Sequence, residues 1–258
     1  MTRVRMIIQY DGTHYEGWQR QLTGLGIQQV LEEELEKLTG EKTVVHASGR
    51  TDSGVHALAQ VAHFDTNARI PPEKFAYALN VGLPPDIRIA LSEAAEGFHA
   101  RFDVKRKHYR YRLQHSPHAD PFTRQTALHV YGALDVAAMN DAAARVLGTH
   151  DFAAFKASGI DPESTVRTIY ESRWTDAGRL VYYDVAGSGF LYNMVRILVG
   201  TMLEIGLGRR GADAMDTALA SGLRSDAGPT APAHGLVLAR VEYEDFDTEE
   251  HIPCKTSW

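Results

Sequence analysis

Cysteine is all but absent from this chain. Cys254 is the only one in 258 residues, which excludes an intrachain disulfide and any cysteine-built metal cluster. Long apolar runs are missing too: nothing approaches the roughly 20 consecutive apolar residues that a bilayer span requires. The opening Met1-Thr2-Arg3-Val4-Arg5-Met6 lacks an apolar stretch followed by a small-residue cleavage site, so it does not read as a secretory leader. These absences fit a reducing cytoplasm. Cys254 itself reads as a bystander near the end of the chain. Metal-ligand spacing is lacking as well. Among twelve histidines none forms HxxxH with a neighbouring acid on a helix, and His46, His56 and His63 fall in strands or turns. Gly206-Leu207-Gly208-Arg209-Arg210-Gly211 satisfies GxGxxG, but it follows a long helix instead of joining a strand to a helix start. Its glycines read as a helix stop, and neither cofactor nor metal is expected.

A positive surplus is also missing. The net charge is −6, and residues 242–250 hold six acids without a lysine or arginine, so the remainder is close to neutral. Basic charge is concentrated instead between Arg101 and Arg112, where Arg101, Lys105, Arg106, Lys107, Arg110 and Arg112 face only Asp103. Phe102, Tyr109 and Tyr111 are interleaved with them. Such a strip permits RNA binding, since phosphates need local cations. It reads equally as a solvated face with core-directed aromatics.

With 44% hydrophobic residues the chain can bury a sizeable core, in one large domain or two small ones. Apolar periodicity predicts a strand over Val4–Tyr10, a helix over Ile27–Thr39 stopped by Gly40, and strands over Thr43–Ala47 and Ala57–Phe64. A helix over Pro72–Leu79 and a strand over Ile87–Leu91 follow, completing βαββαβ. The second half repeats that order: His108–Leu113, Asp135–Leu147, Thr165–Trp174, Leu180–Val185, Leu191–Ile205 and Leu236–Val241, with a short extra helix near Ala212–Ala220. The expected fold is therefore α+β, two ferredoxin-like halves whose mixed, mainly antiparallel sheet is flanked by helices. The divisions are 1–105, 106–246 and an acidic or loose tail at 247–258.

The segment richest in chemistry is Gly49-Arg50-Thr51-Asp52-Ser53-Gly54-Val55-His56-Ala57. Asp52 sits in a tight loop between two strands, with glycines that allow close backbone approach. By itself it is either a turn-forming aspartate or a reactive carboxylate. Arg50-Thr51-Asp52-Ser53-Gly54-Val55-His56 resembles the catalytic loop of the tRNA pseudouridine synthase A (TruA) family. Further segments match in the family's order: Tyr10-Asp11-Gly12, Gly17-Trp18-Gln19-Arg20-Gln21, Phe98-His99-Ala100-Arg101-Phe102 and Lys107-His108-Tyr109-Arg110-Tyr111. Asn193-Met194-Val195-Arg196, Val199-Gly200 and Ala231-Pro232-Ala233-His234-Gly235-Leu236 complete a resemblance running over about residues 4–243.

The resemblance implies the pseudouridine synthase fold and an enzyme that isomerises uridine to pseudouridine at positions 38, 39 and 40 of the tRNA anticodon stem-loop. It implies a homodimer without cofactor or metal. Asp52 matches the nucleophile, Arg196 a cation that would keep it ionised, and Tyr109 the active-site tyrosine. Arg50 matches the residue that enters the space left when a uridine leaves the stack. Attack on the ribose, addition to the base and abstraction of a ribose proton all remain open as the carboxylate's role. Two other classes compete: a catalytically silent RNA-binding module, which needs no acid at the loop, and a glycoside-cleaving enzyme. The latter needs a second carboxylate, and no acid lies between Glu41 and Asp65 apart from Asp52.

Overall fold

The computed structural model describes residues 1–159 and 162–252; Cys254 and the last residues of the C-terminal stretch lie outside them. The fold is α+β, with mainly antiparallel strands flanked by helices. It divides into two compact units, Met1–Lys105 joined by the chain from Val237 onward, and Arg106–Leu236.

In the first unit, β1 (Thr2–Tyr10), α1 (Ile27–Thr39), β2 (His46–Ala47), β3 (His56–Thr66), α2 (Phe75–Gly82) and β4 (Ile87–Ala94) follow the βαββαβ order. Strand β1 lies between β3 and β4, antiparallel to both, and β2 pairs with β3. The resulting order, β4-β1-β3-β2, is the ferredoxin-like arrangement. Helix α1 buries Ile27, Leu31 and Leu35 on one face, and Gly40 ends it with φ 74°. On β1, Val4, Met6, Ile8 and Tyr10 are buried while Arg3 and Arg5 point the other way. Those two cations meet carboxylates on the flanking strands, Asp65 at 2.8 Å and Glu93 at 3.0 Å.

The strand after residue 235, assigned to the second half by sequence, pairs with β3 and is grouped with the first unit. Val237 and Leu238 of β10 (Leu236–Glu242) run parallel to His56 and Ala57. The acids that follow are tied down as far as the described residues reach. Arg240 holds Asp247 (2.9 Å), Glu249 (2.6 Å) and Glu242 (3.2 Å), Thr248 is buried, and Phe246 lies under the Arg5 guanidinium. A final turn of helix, Thr248–His251, closes this segment.

Three imidazoles gather beneath that closure. His63 is 1% exposed, stacks on His46 at 5.1 Å and meets His99 edge-on at 4.7 Å. Its Nδ1 accepts the Ala100 amide at 3.1 Å. Burial, together with Arg3 and the other two rings, pushes its pKa from 6.5 down to about 4. The folded protein thus holds a neutral ring that the unfolded chain would protonate below pH 6.5. Stability from His63 is complete above that pH and falls as pH drops toward 4, by up to about 3 kcal/mol. Urea midpoints measured from pH 7 to pH 4.5 should fall less steeply for His63→Asn, which keeps an acceptor for Ala100, than for the parent. Equal slopes would assign the acid sensitivity to other groups.

The second unit contains β5 (Arg106–His115), β6 (Leu128–Val130), α3 (Val136–Ala144), β7 (Gly148–Asp151), β8 (Val166–Asp176), β9 (Leu180–Gly187), α4 (Met194–Gly206) and α5 (Ala214–Ser221). Strand β9 lies between β5 and β8, antiparallel to both, so β5-β9-β8 repeats β1-β3-β2. Strand β7 extends the sheet beyond β8, and β6 adds to β5 in parallel. Helix α4 is buried around most of its circumference, as expected of a helix apolar on nearly all sides. The GxGxxG glycines end α4: Gly208 has φ 68°, and its amide bonds to the Ile205 carbonyl at 2.9 Å.

Candidate active site

The loop carrying Asp52 is clamped mainly through its backbone. Asp52 accepts the Val55 amide at 3.1 Å, closing a turn whose third residue, Gly54, has φ 76°. A positive φ there is the requirement of a type II turn, and glycine meets it without strain. One remote stretch, residues 12–18, grips this turn. The Trp18 amide donates to the Thr51 carbonyl at 3.1 Å, and the Gly54 amide to the Tyr15 carbonyl at 3.2 Å. Gly17 and Gly12 lie so close that a Cβ would sit 2.4 Å from the Thr51 oxygen and 2.1 Å from the Val55 oxygen. The motifs around Tyr10-Asp11-Gly12 and Gly17-Trp18 are therefore the cradle of the Asp52 loop.

Side chains secure the loop from below. The buried Tyr10 hydroxyl, its pKa pushed up to about 12 by burial, hydrogen-bonds Thr51 Oγ1 at 2.8 Å. Gln60 Nε2 donates to the Gly49 carbonyl at 2.9 Å, and Ser48 Oγ donates to Gln60 Oε1 at 2.6 Å. Asp52 is left half-buried on top, with Arg50 exposed two residues before it. Ser48 and Gln60 were not singled out by sequence. A glutamine inside the apolar run from Ala57 to Phe64 was the available signal, because a buried polar group needs a partner.

Arg196 belongs to the second unit, in the first turn of α4. Its Nε donates to the Ala231 carbonyl and its Nη1 to Asn193 Oδ1, both at 2.8 Å, while its own carbonyl accepts the Ala231 amide at 3.0 Å. The segment that supplies Ala231 lies against α4 at close range. A Cβ on Gly200 would stand 1.8 Å from the Pro229 oxygen, and the Gly228 amide donates to Thr201 Oγ1 at 2.8 Å. The same segment holds Tyr111, whose hydroxyl donates to the Pro232 carbonyl at 2.8 Å. Two residues earlier on β5, Tyr109 is 8% exposed and meets Phe190 edge-on at 5.2 Å. Thus Arg50 and Asp52 share one loop of the first unit, and Tyr109 and Arg196 share the framework of the second.

The basic strip is less available than its composition suggested. It divides between the units after Lys105, which reaches Glu244 at 3.2 Å. Arg110 forms a two-pronged pair with Asp184 on β9, at 2.7 and 3.1 Å. Arg112 is 8% exposed, and Tyr111 is fully buried as a packing residue. Arg106 remains exposed, 4.4 Å above the Tyr170 ring.

The model of the family described as tRNA pseudouridine synthase matches residues 6–103 and 142–244. The chain is 46% identical to tRNA pseudouridine synthase A of Acetivibrio thermocellus over 244 residues, covering 94% of this chain and all of the relative. It is 47% identical to the protein of the same name from Syntrophotalea carbinolica, over 97% of this chain and all of the relative. The tRNA pseudouridine synthase A of Geotalea uraniireducens is 46% identical over 94% of this chain.

Proposed function

The chain belongs to the tRNA pseudouridine synthase family, and on that premise we propose that it isomerises uridine in the anticodon stem-loop of tRNA, at positions 38, 39 and 40. The observation that carries the reading is Asp52, a half-buried carboxylate on a loop held by glycine-permitted backbone contacts from one distant stretch, residues 12–18. The reaction breaks the N1–C1′ bond, turns the uracil and joins C5 to C1′; C5 gives up its proton and N1 gains one. Asp52 is the nucleophile, and a carboxylate does this work only while ionised. Arg196 is its charge partner, since a nearby guanidinium favours the charged form.

A paired uridine must first leave the stack, which costs a few kcal/mol. Arg50, exposed beside Asp52, fills the space it vacates. Tyr109 stacks on the uracil and its hydroxyl handles the C5 proton. Three target positions imply recognition of tRNA shape more than of base edges. The reaction uses no metal or organic cofactor, and the working form is a cytoplasmic homodimer. No described helix is long and apolar enough to cross a membrane.

Purified protein incubated with unmodified tRNA transcripts tests this directly. Pseudouridine mapped at 38, 39 or 40 is the expected product; pseudouridine confined to other positions, or none, would replace the reading. Tyr109→Phe keeps the ring and should leave tRNA affinity within about twofold, while slowing single turnover by about 10²-fold or more. An unchanged rate would leave Tyr109 as a stacking surface alone.

A further inference from the structure

Asn193 is the one non-glycine among the described residues with a positive φ, at φ 60° and ψ 7°. It stands at the N-cap of α4. An asparagine there ordinarily has extended backbone, and its side-chain oxygen accepts an amide from the first turn. Asn193 does neither. It makes no side-chain cap bond, and its Oδ1 accepts from Nη1 of Arg196, three residues into the helix. Its main-chain carbonyl still accepts the Ile197 amide at 3.0 Å, so the helix starts normally.

Arg196 is itself poorly placed for helix stability, because the amide dipoles at a helix N-terminus disfavour a cation. A left-handed non-glycine backbone adds a second cost. Both costs are explained if the turn exists to aim one guanidinium. We propose that Asn193 is a positioning residue for Arg196: the left-handed turn swings Oδ1 onto Nη1, while Ala231 fixes Nε. This rests on the reading of Arg196 as the cation that serves Asp52.

Asn193→Gly keeps the backbone accessible and removes only the acceptor. We expect the single-turnover rate on tRNA to fall by about tenfold or more, with tRNA affinity and melting temperature close to those of the parent. The acid limb of the rate profile should move to higher pH, as a loosened guanidinium holds Asp52 ionised less well. In an Arg196→Lys background the same change should have little further effect. A parental rate for Asn193→Gly, or additive losses in the double variant, would overturn the proposal. A parental rate for Arg196→Lys alone would remove the reading of Arg196 and the proposal with it.

Discussion

Asp52→Asn is expected to lower the single-turnover rate by at least about ten-thousandfold, the scale on which removing a nucleophile acts. The amide has the shape of the carboxylate but cannot attack or carry its charge. The loop should keep its conformation, because the contacts that fix its turn run through the Thr51 and Asp52 carbonyls and the Gly54 and Val55 amides. Gly12 and Gly17 press on backbone too. Melting temperature and tRNA affinity should therefore stay near those of the parent, which separates lost chemistry from lost structure. Appreciable conversion by the purified variant would remove Asp52 from the mechanism.

Gly200→Ala should have the largest structural effect of any single methyl group at the site. The added Cβ would sit 1.8 Å from the Pro229 oxygen and 2.9 Å from its carbon, and both are backbone atoms. Either α4 or residues 228–232 must shift. Overpacking of this kind costs about 3 kcal/mol, readable as a lower denaturant midpoint. Activity should fall further than stability, measured where the variant is fully folded, because the displaced segment contains the Ala231 carbonyl that holds Arg196. Gly208→Ala, at the other end of α4, is the control. Its φ of 68° makes the change cost about 1 kcal/mol, but no atom lies within 4 Å of the new methyl and the rate should not change. Parental stability for Gly200→Ala would mean that the segment slides freely along the helix.

Helix α1 was legible from end to end, since its apolar spacing and its stop at Gly40 are local signals. The strand expected over Thr43–Ala47 was not: only His46–Ala47 pair. The Val45 amide and carbonyl are taken by Glu32 (3.1 Å) and Gln28 (3.2 Å) of α1, so part of that extended backbone bonds to a helix instead of a sheet. Strand β7 went unseen because four residues carry too little pattern. At the site, Arg50 and Asp52 stood out because their motif is contiguous. Tyr10 and Gly17 stood out too, within their own motifs, but their role in supporting the loop did not, and Gln60 went unnoticed, because only the folded chain brings the three to that loop. The basic strip shows the same limit: its sign could be read in the sequence, but Asp184, which meets Arg110 from 74 residues away, could not.

The parallel pairing of Val237 with His56 has a consequence for synthesis on the ribosome. The Asp52 loop runs directly into β3, yet the strand beside that end of β3 is made more than a hundred residues after Lys105. At roughly 5–20 residues per second, the nascent first unit waits on the order of ten seconds with an open edge. An open edge invites pairing with other chains. Translation that stops before residue 237 therefore leaves a product that carries Asp52 without the strand that pairs with the start of β3.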